Sequence, residues 1–492
     1  MSGKLERFTR DLERRTQALE PPGPAETPAV PLTGTILDAL ALFGSQFAGE
    51  SWSAWRVFLK ALFALPLEPA ELEVYARHTE RRSAPVTPGR EGWLVVGRRG
   101  GKSQVAALVA VFLACFRDYR AVLAPGERGV VMVIAADRLQ ARVIFRYVCA
   151  LIDAVPELQA LAVRRRKESL ELSTCVHIEV HTASYRTVRG YTILAALLDE
   201  VAFWRSEESA SPDKEVLDAI RPGMATVPGA LLMAISSPYA RRGELWKAFQ
   251  RWWRCEDPGA PLVWRADTAS MNPAVDSSVI EQAYADDPLT AASEYGAQFR
   301  TDVEAFLNLE AIQAVTMSGR YELPRAQGRS YIAFTDPSGG SQDAFTVAIA
   351  HAEKDLAVLD ALREVRPPFS PDSVVSEFAE LLRSYGISRV VGDHYAGEWP
   401  RERFRVHGIT YEPAAEPKSA IYRALLPAVN SGRVELLDHP RLRAQLQALE
   451  RRVARSGNDS VDHPPGAHDD LANAAAGALT LVLTRRNRFL VA

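Results

Sequence analysis

The chain has 492 residues, 47% hydrophobic and 24% charged, the balance of an ordinary globular protein long enough for two domains that each bury a core. Its 58 Lys and Arg against 61 Asp and Glu leave a net charge of −3, which excludes a polycation, so any nucleic-acid contact has to follow a local basic track. No apolar run approaches the roughly 20 residues of a membrane span, no signal-peptide apolar region is present, and Cys115, Cys149, Cys175 and Cys255 form no CxxC pair; the expectation is an intracellular protein without membrane span, zinc site or disulfide frame.

Residues 1–20 mix Arg, Lys and Glu in a pattern compatible with a short helix, and Pro21-Pro22-Gly23-Pro24 through Pro31 reads as a tether. Residues 34–82 read as helical, with Phe43, Phe47, Trp52, Trp55, Phe58 and Phe63 in a core. An apolar run, Trp93 to Val96, then stops at Gly97-Arg98-Arg99-Gly100-Gly101-Lys102-Ser103 and passes into the helix-compatible Gln104 to Val109. Strand, glycine-rich turn and helix in this order offer backbone N–H groups and a helix N-terminus to a polyphosphate. Lys102 would meet the outer phosphates and the Ser103 hydroxyl would ligate Mg²⁺. The usual pattern has a glycine six residues before the lysine; here that position is Val96, and Gly97 stands five before.

Gly129 to Ala136 is apolar throughout, as expected of a strand buried on both faces. Asp137 follows, then a helix carrying Arg138, Arg142 and Arg146 along one face. Such a face is usually solvated; in a ring-forming ATPase it also holds candidates for an arginine finger acting in trans. Val176, Ile178 and Val180 alternate with polar residues, indicating a strand with one wet face. The run Ile193 to Leu198 delivers Asp199 and Glu200 at its C-terminal end, where ligands bind in an open α/β sheet. Asp199 is expected to hold Mg²⁺ and Glu200 to polarise the attacking water of ATP. A further strand, Leu231 to Ile235, ends in Ser236-Ser237-Pro238-Tyr239, hydroxyls placed to sense the γ-phosphate and couple hydrolysis to movement.

Residues 256–325 lack clear strand periodicity and read as a helical subdomain. A second α/β unit then opens with Tyr331 to Phe334, ending on Asp336 and a Gly turn. Phe345 to Ala350 and Leu356 to Leu362 continue it as an antiparallel meander, followed by a helix over Ser373 to Tyr385. Arg389 to Gly392 is a strand ending on Asp393, and His468-Asp469-Asp470 opens a helix of small residues running to about Leu483. Two strand-end aspartates and one at a helix start are what a two-metal phosphodiester hydrolase needs, with hard oxygen ligands for two Mg²⁺ or Mn²⁺ ions. The order of elements matches a ribonuclease-H-like nuclease. The expected organisation is therefore a tail and tether at 1–33, a P-loop (RecA/ASCE-like) ATPase domain with a mostly parallel sheet at 34–255, the helical subdomain at 256–325, a ribonuclease-H-like α/β nuclease domain at 326–485 and a tail at 486–492.

Taken together, residues 97–103, Leu197-Leu198-Asp199-Glu200, Ser236 to Tyr239, Asp336, Asp393 and His468 to Ala474 make residues 35–485 resemble the large terminase subunit of tailed bacteriophages. That family's short, arginine-bearing phosphate loop accounts for the missing glycine at position 96. The resemblance implies a motor in the host cytoplasm that uses ATP to drive double-stranded DNA through the portal protein into the procapsid, and an endonuclease that cuts concatemeric DNA. It implies a ring, typically a pentamer, on the portal and a small terminase subunit that selects DNA. It assigns Arg98 or Arg99 to the phosphates, Ser236, Ser237 and Pro238 to coupling, and Asp336, Asp393 and either Asp470 or Asp469 to the nuclease metals, with Asp470 favoured because Ala474 one turn later lets the helix sit close and His468 able to assist. No stretch before residue 93 matches the family's adenine-contacting motif; Tyr75 and Arg77 stand at a comparable distance. Arg389, Lys418, Arg423, Arg433, Arg451 and Arg452 are candidates for tracking DNA phosphates. The alternatives are a helicase-nuclease or resolvase of DNA repair, against which the lack of a second RecA-like domain counts, and a structural ring component with relic sites.

Overall fold

The computed structural model describes residues 31–491 apart from 207, 208, 210, 342, 394–397, 454–458 and 465. The expected N-terminal helix and most of the tether lie outside the described residues. Among these, no helix is long and apolar enough to cross a membrane, and all four cysteines are free thiols.

The first sheet joins β1 (Glu91–Val96), β2 (Gly129–Ala135), β3 (Ala162–Arg165), β4 (Ser169–Leu172), β5 (Val176–Thr182), β6 (Thr192–Asp199), β7 (Leu231–Ser236) and β8 (Leu262–Ala266) in the order β3-β4-β5-β2-β6-β7-β1-β8. From β5 to β8 all pairings are parallel, while β3 and β4 add an antiparallel edge. β2 is buried at every position, because a parallel strand covered on both faces has no wet side. The helix Lys102–Cys115 is likewise buried nearly all round, which is why its sequence shows no polar stripe. The early aromatics fall where expected: Phe43, Phe47, Trp55 and Phe58 are buried and Trp52 and Phe63 pack against them. The sheet also corrects the expectation for 256–325. Leu262–Ala266 pairs in parallel with β1, so the first sheet continues past residue 255; the stretch reads as strandless because β8 is a short edge strand with little room for a period.

The second sheet runs β10-β16-β13-β12-β11-β14-β15, from β10 (Thr316–Met317), β11 (Tyr331–Asp336), β12 (Phe345–Glu353), β13 (Leu356–Val365), β14 (Arg389–Gly392), β15 (Thr410–Pro413) and β16 (Val434–Leu437). β11, β12 and β13 form the antiparallel meander, and β14 joins β11 in parallel, the strand arrangement of a ribonuclease-H-like unit. A small third sheet, β18-β17-β9, comprises β9 (Val303–Ala305), β17 (Glu450–Arg452) and β18 (Ser460–Asp462).

The helix Asp470–Val491 crosses β11, β12 and β13. It continues beyond the expected end near Leu483, so 486–491 is helix and not a tail. Its small residues are a packing requirement. A Cβ on Gly477 would stand 2.3 Å from Cγ of Phe334, so Gly477→Ala forces a shift that typically costs about 1–3 kcal/mol. Close approach sets the start of the helix beside the end of β11, where Thr346 Oγ1 donates to the Asp470 carbonyl at 2.8 Å.

Candidate nucleotide cleft and carboxylate centre

β7 lies between β6 and β1, and the three are in parallel register, Val95 opposite Ser236 and Asp199 opposite Ile235. Their C-terminal ends therefore open on one edge of the sheet, the ligand-binding edge of such folds. The glycine-rich loop is held there through its carbonyls. Lys102 Nζ donates to Val96 O at 2.9 Å and Gly97 O at 3.2 Å, Thr268 Oγ1 to Arg98 O at 2.7 Å, Asn272 Nδ2 to Arg99 O at 2.8 Å, and Trp55 Nε1 to Gly100 O at 2.7 Å. Gly97 is the glycine this path demands: a Cβ there would meet Thr268 Oγ1 at 2.3 Å and the Tyr295 carbonyl at 2.6 Å. Val96, at the position of the usual glycine, closes β1 against Ala266 and needs no such freedom.

Glu200 joins the parts. Its Oε1 is 3.4 Å from Lys102 Nζ, and its Oε2 accepts from Ser236 Oγ and Ser237 N, both at 3.0 Å. Asp199 is buried beside it. Burial, and then the neighbouring Glu200 charge, push the Asp199 carboxyl up to about 7 despite the opposing pull of Lys102. A cavity of about 470 Å³ spans the loop, with Ser103, Glu200, Trp52, Tyr147, Asn272 and Val275 in its walls. Tyr75 is buried in the core and Arg77 is exposed, and neither lines that cavity; sequence distance to the loop was no guide, because the helix Pro69–Thr79 packs on β8. The sequence carried no signal for the carbonyl donors Trp55, Thr268 and Asn272, which come from far along the chain.

In the second sheet, Asp336 ends β11, and Asp393 follows β14 with its N–H donating to Thr335 O at 3.2 Å. Asn473 Nδ2 donates to Asp336 Oδ2 at 2.8 Å and Asp393 Oδ2 at 3.1 Å. Asp470 Oδ2 accepts from Ala344 N at 3.3 Å. Burial raises the Asp336 carboxyl well above its ordinary range, with Asp470, Asp393 and Asp469 adding repulsion against the Asn473 hydrogen bond. Burial also lifts Asp470, to about 6. Asp469 faces elsewhere: Tyr422 Oη donates to it at 2.8 Å and Lys418 Nζ lies 3.1 Å away. Burial disfavours the Lys418 ammonium, yet Asp469 and Asp462 keep its pKa above the usual value. Among the described residues, Asp462, His463 and Asp469 form the trio whose ligand atoms all lie within 4.8 Å of one another, but the Lys418 ammonium already sits between Asp462 and Asp469. Asp336, Asp393 and Asp470 do not belong to that trio. His468 pairs with Asp343 at 3.3 Å.

Several basic candidates turn out to be engaged within the chain. Lys418 serves Asp469, Arg389 pairs with Glu412, Arg423 and Arg451 both bond Asp459, Arg433 bonds Ser431, and Arg452 lies 3.8 Å from Glu450. Arg138 and Arg142 both bind Glu168, whereas Arg146 is exposed. Intramolecular partners from β4's approach and from β15 were invisible in the sequence spacing.

The segment that follows the cleft serines contacts the small third sheet. Immediately after Ser236, Ser237 and Pro238, Tyr239 Oη donates to Glu450 Oε2 at 2.8 Å, and Arg242 donates to Glu450 Oε1 at 2.6 Å. Glu450 is fully buried on β17.

Among solved structures, the chain is similar to phage large terminases along both halves. The large terminase of bacteriophage HK97 shares 17% identity over 86% of this chain and 93% of its own, with a TM-score of 0.37. That of the thermophilic bacteriophage D6E in complex with ADP shares 11% over 87% and 99%, with a TM-score of 0.38. The large terminase nuclease of thermophilic phage G20c with bound magnesium shares 17% over 35% and 95%, with a TM-score of 0.31. No protein-family model and no curated protein matches. At such identities each residue's role rests on its own surroundings.

Proposed function

We propose that this chain is an ATPase joined to a metal-dependent DNA endonuclease, working as the large subunit of a phage packaging motor. The observation that carries the ATPase half is Glu200 spanning the cleft, with one oxygen on Lys102 and the other on Ser236 and Ser237. The amides of Gly97, Arg98 and Gly100 bond the carbonyls of Ala266, Glu294 and Gly97, so the phosphate oxygens meet the amides nearer the helix start, Gly101 to Ser103. Gly97, Arg98, Arg99, Gly100, Gly101, Lys102 and Ser103 then hold the nucleotide, Ser103 and Asp199 hold Mg²⁺, and Glu200 orients the attacking water. Arrival of a γ-phosphate at Lys102 competes for the bond to Glu200, which loosens Glu200 from Ser236 and Ser237 and so reaches Tyr239 and Glu450. That path gives coupling a physical route into the second half.

In that half, Asp336, Asp393 and Asp470 suit two Mg²⁺ or Mn²⁺ ions: they are hard oxygen donors, and burial, with repulsion from neighbouring carboxylates, raises the pKa of Asp336 and Asp470. When bound, such ions activate water and stabilise the leaving oxygen of a phosphodiester. Asp470 takes the third position in preference to Asp469, whose charge Lys418 already balances. Double-stranded DNA, the portal protein, a small terminase subunit and a ring of copies are the partners this reading requires, with Arg138 and Arg146, both exposed, the candidates for acting on a neighbour's nucleotide. The test uses the full chain. Lys102→Ala abolishes ATP turnover and spares Mn²⁺-dependent cleavage of plasmid DNA, and Asp336→Asn does the reverse. Loss of both activities from either substitution in a folded protein overturns the assignment of two separate sites, and robust strand separation by the wild type would favour a helicase-nuclease.

A further inference from the structure

We propose that Asn473 is a positioning residue of the carboxylate centre, its amide holding Asp336 and Asp393 together as the pair that receives a divalent cation. The inference rests on the metal-dependent nuclease reading and adds to it a residue outside the acidic set. Asn473 is fully buried and lies less than one turn into the helix Asp470–Val491. Its Nδ2 donates to both carboxylates, while its Oδ1 is buried without a hydrogen-bond partner.

A buried amide with its acceptor unpaired is a costly choice for packing alone. The same helix fills neighbouring buried positions with Ala472, Ala474, Ala475 and Ala476, and an alanine at 473 would leave no orphan oxygen. What alanine lacks is the pair of N–H donors. These reach two different strands at the point where they end: β11 delivers Asp336 and β14 leads to Asp393. The backbones are tied at that level by Asp393 N–H to Thr335 O, and the Asn473 amide ties the side chains above it. Exchanging Nδ2 and Oδ1 would aim a carbonyl at two carboxylates, so the orientation is fixed by charge. The residue's own N–H donates to Asp469 O at 2.7 Å, which locks the amide to the helix start that also presents Asp470. Asn473 thereby sets the mutual placement of the Asp336 and Asp393 carboxylates, beside Asp470, which the Ala344 N–H holds.

Groups that orient metal-binding side chains typically contribute about 10–100-fold to metal affinity. The measurement is calorimetric Mn²⁺ binding to the full chain without nucleotide, with ATP turnover as a check on the fold. Asn473→Ala and Asn473→Ser each raise the Mn²⁺ Kd by about 10–100-fold and leave ATP turnover unchanged. An unchanged Mn²⁺ Kd, even with a lowered melting temperature, overturns the proposal and leaves the nuclease reading standing, because a purely structural asparagine affects stability and not affinity. Should the alanine variant fail to fold, the smaller polar serine puts the same question. If the wild type binds no Mn²⁺ that Asp336→Asn removes, the nuclease reading fails and this inference falls with it.

Discussion

The nucleotide cleft and the carboxylate centre both bury acidic side chains at the C-terminal ends of parallel strands, and they balance that charge in opposite ways. The cleft contains its own cation: Lys102 sits among two backbone carbonyls and Glu200. In the centre, Lys418 is committed to Asp469 and Asp462, and Asp336 and Asp393 share the neutral amide of Asn473. On the proposed reading, the first site is self-balanced until a polyphosphate competes for its lysine, and the second is an acidic group that divalent cations would balance. The sharpest way to break this contrast is Glu200→Gln. Loss of a general base typically costs about 10²–10⁴-fold, so ATP turnover falls by that order while Mn²⁺-dependent cleavage is unchanged; a comparable fall in cleavage would mean that the sites are not chemically independent.

A second test uses pH. Asp199, raised to about 7, and Asp470, raised to about 6, both have folded values above their ordinary 3.8. A carboxyl raised on folding contributes stability that is fully present below its unfolded pKa and is lost as pH rises through the folded one. In EDTA, the melting-temperature difference between wild type and Asp199→Asn therefore widens as pH climbs from about 4 to about 7, and that for Asp470→Asn from about 4 to about 6, the variant gaining on the wild type in each case. Saturating Mn²⁺ abolishes the second trend. A difference that stays flat with pH would show that burial does not penalise these charges.

What the sequence disclosed follows from where each function resides. The strand-end carboxylates Asp199, Glu200, Asp336 and Asp393 and the loop around Lys102 were legible because local pattern, an apolar run stopping on a polar residue, specifies both the strand and its functional end. β8 escaped because five residues at a sheet edge carry too little periodicity, and the helix continuing to Val491 escaped because the polar run Arg485 to Arg488 interrupts the apolar pattern while the backbone stays helical. The Asn473 bridge, the Lys418 pair and the donors to the loop carbonyls join residues far apart in the chain. No spacing rule reaches such contacts; only the packing of helices on sheets creates them.

The contact between the first half and the third sheet offers a smaller effect. Glu450 is fully buried and bonded by Tyr239 and Arg242 from the first half. Arg242→Ala leaves that carboxylate with a hydroxyl as its remaining partner from that side, at a cost of about 1–3 kcal/mol, visible as a lower urea midpoint. If coupling runs through Tyr239, DNA-stimulated ATP turnover falls in Tyr239→Phe while turnover without DNA is kept. Equal loss of both would place Tyr239 in the fold and not in the coupling.

The smallest expected effect tests how the loop is held. Trp55, on the helix Ser53–Leu62, is buried and donates Nε1–H to Gly100 O at 2.7 Å. A Cβ on Gly101, whose φ is +91°, would stand 3.0 Å from that same nitrogen and 3.4 Å from the Trp52 ring. The indole therefore both fixes a loop carbonyl and walls the turn. Trp55→Phe keeps an aromatic ring in the core and removes only the donor, so the loss is that of one hydrogen bond, about 0.5–1.5 kcal/mol. It is felt where the loop conformation matters: ATP binds about 2–10-fold more weakly, kcat at saturating ATP is preserved, and Mn²⁺ affinity at the second site does not change. A fall in kcat without a change in ATP affinity would instead mean that Trp55 acts through Lys102 and Glu200, and that the loop stays organised without it.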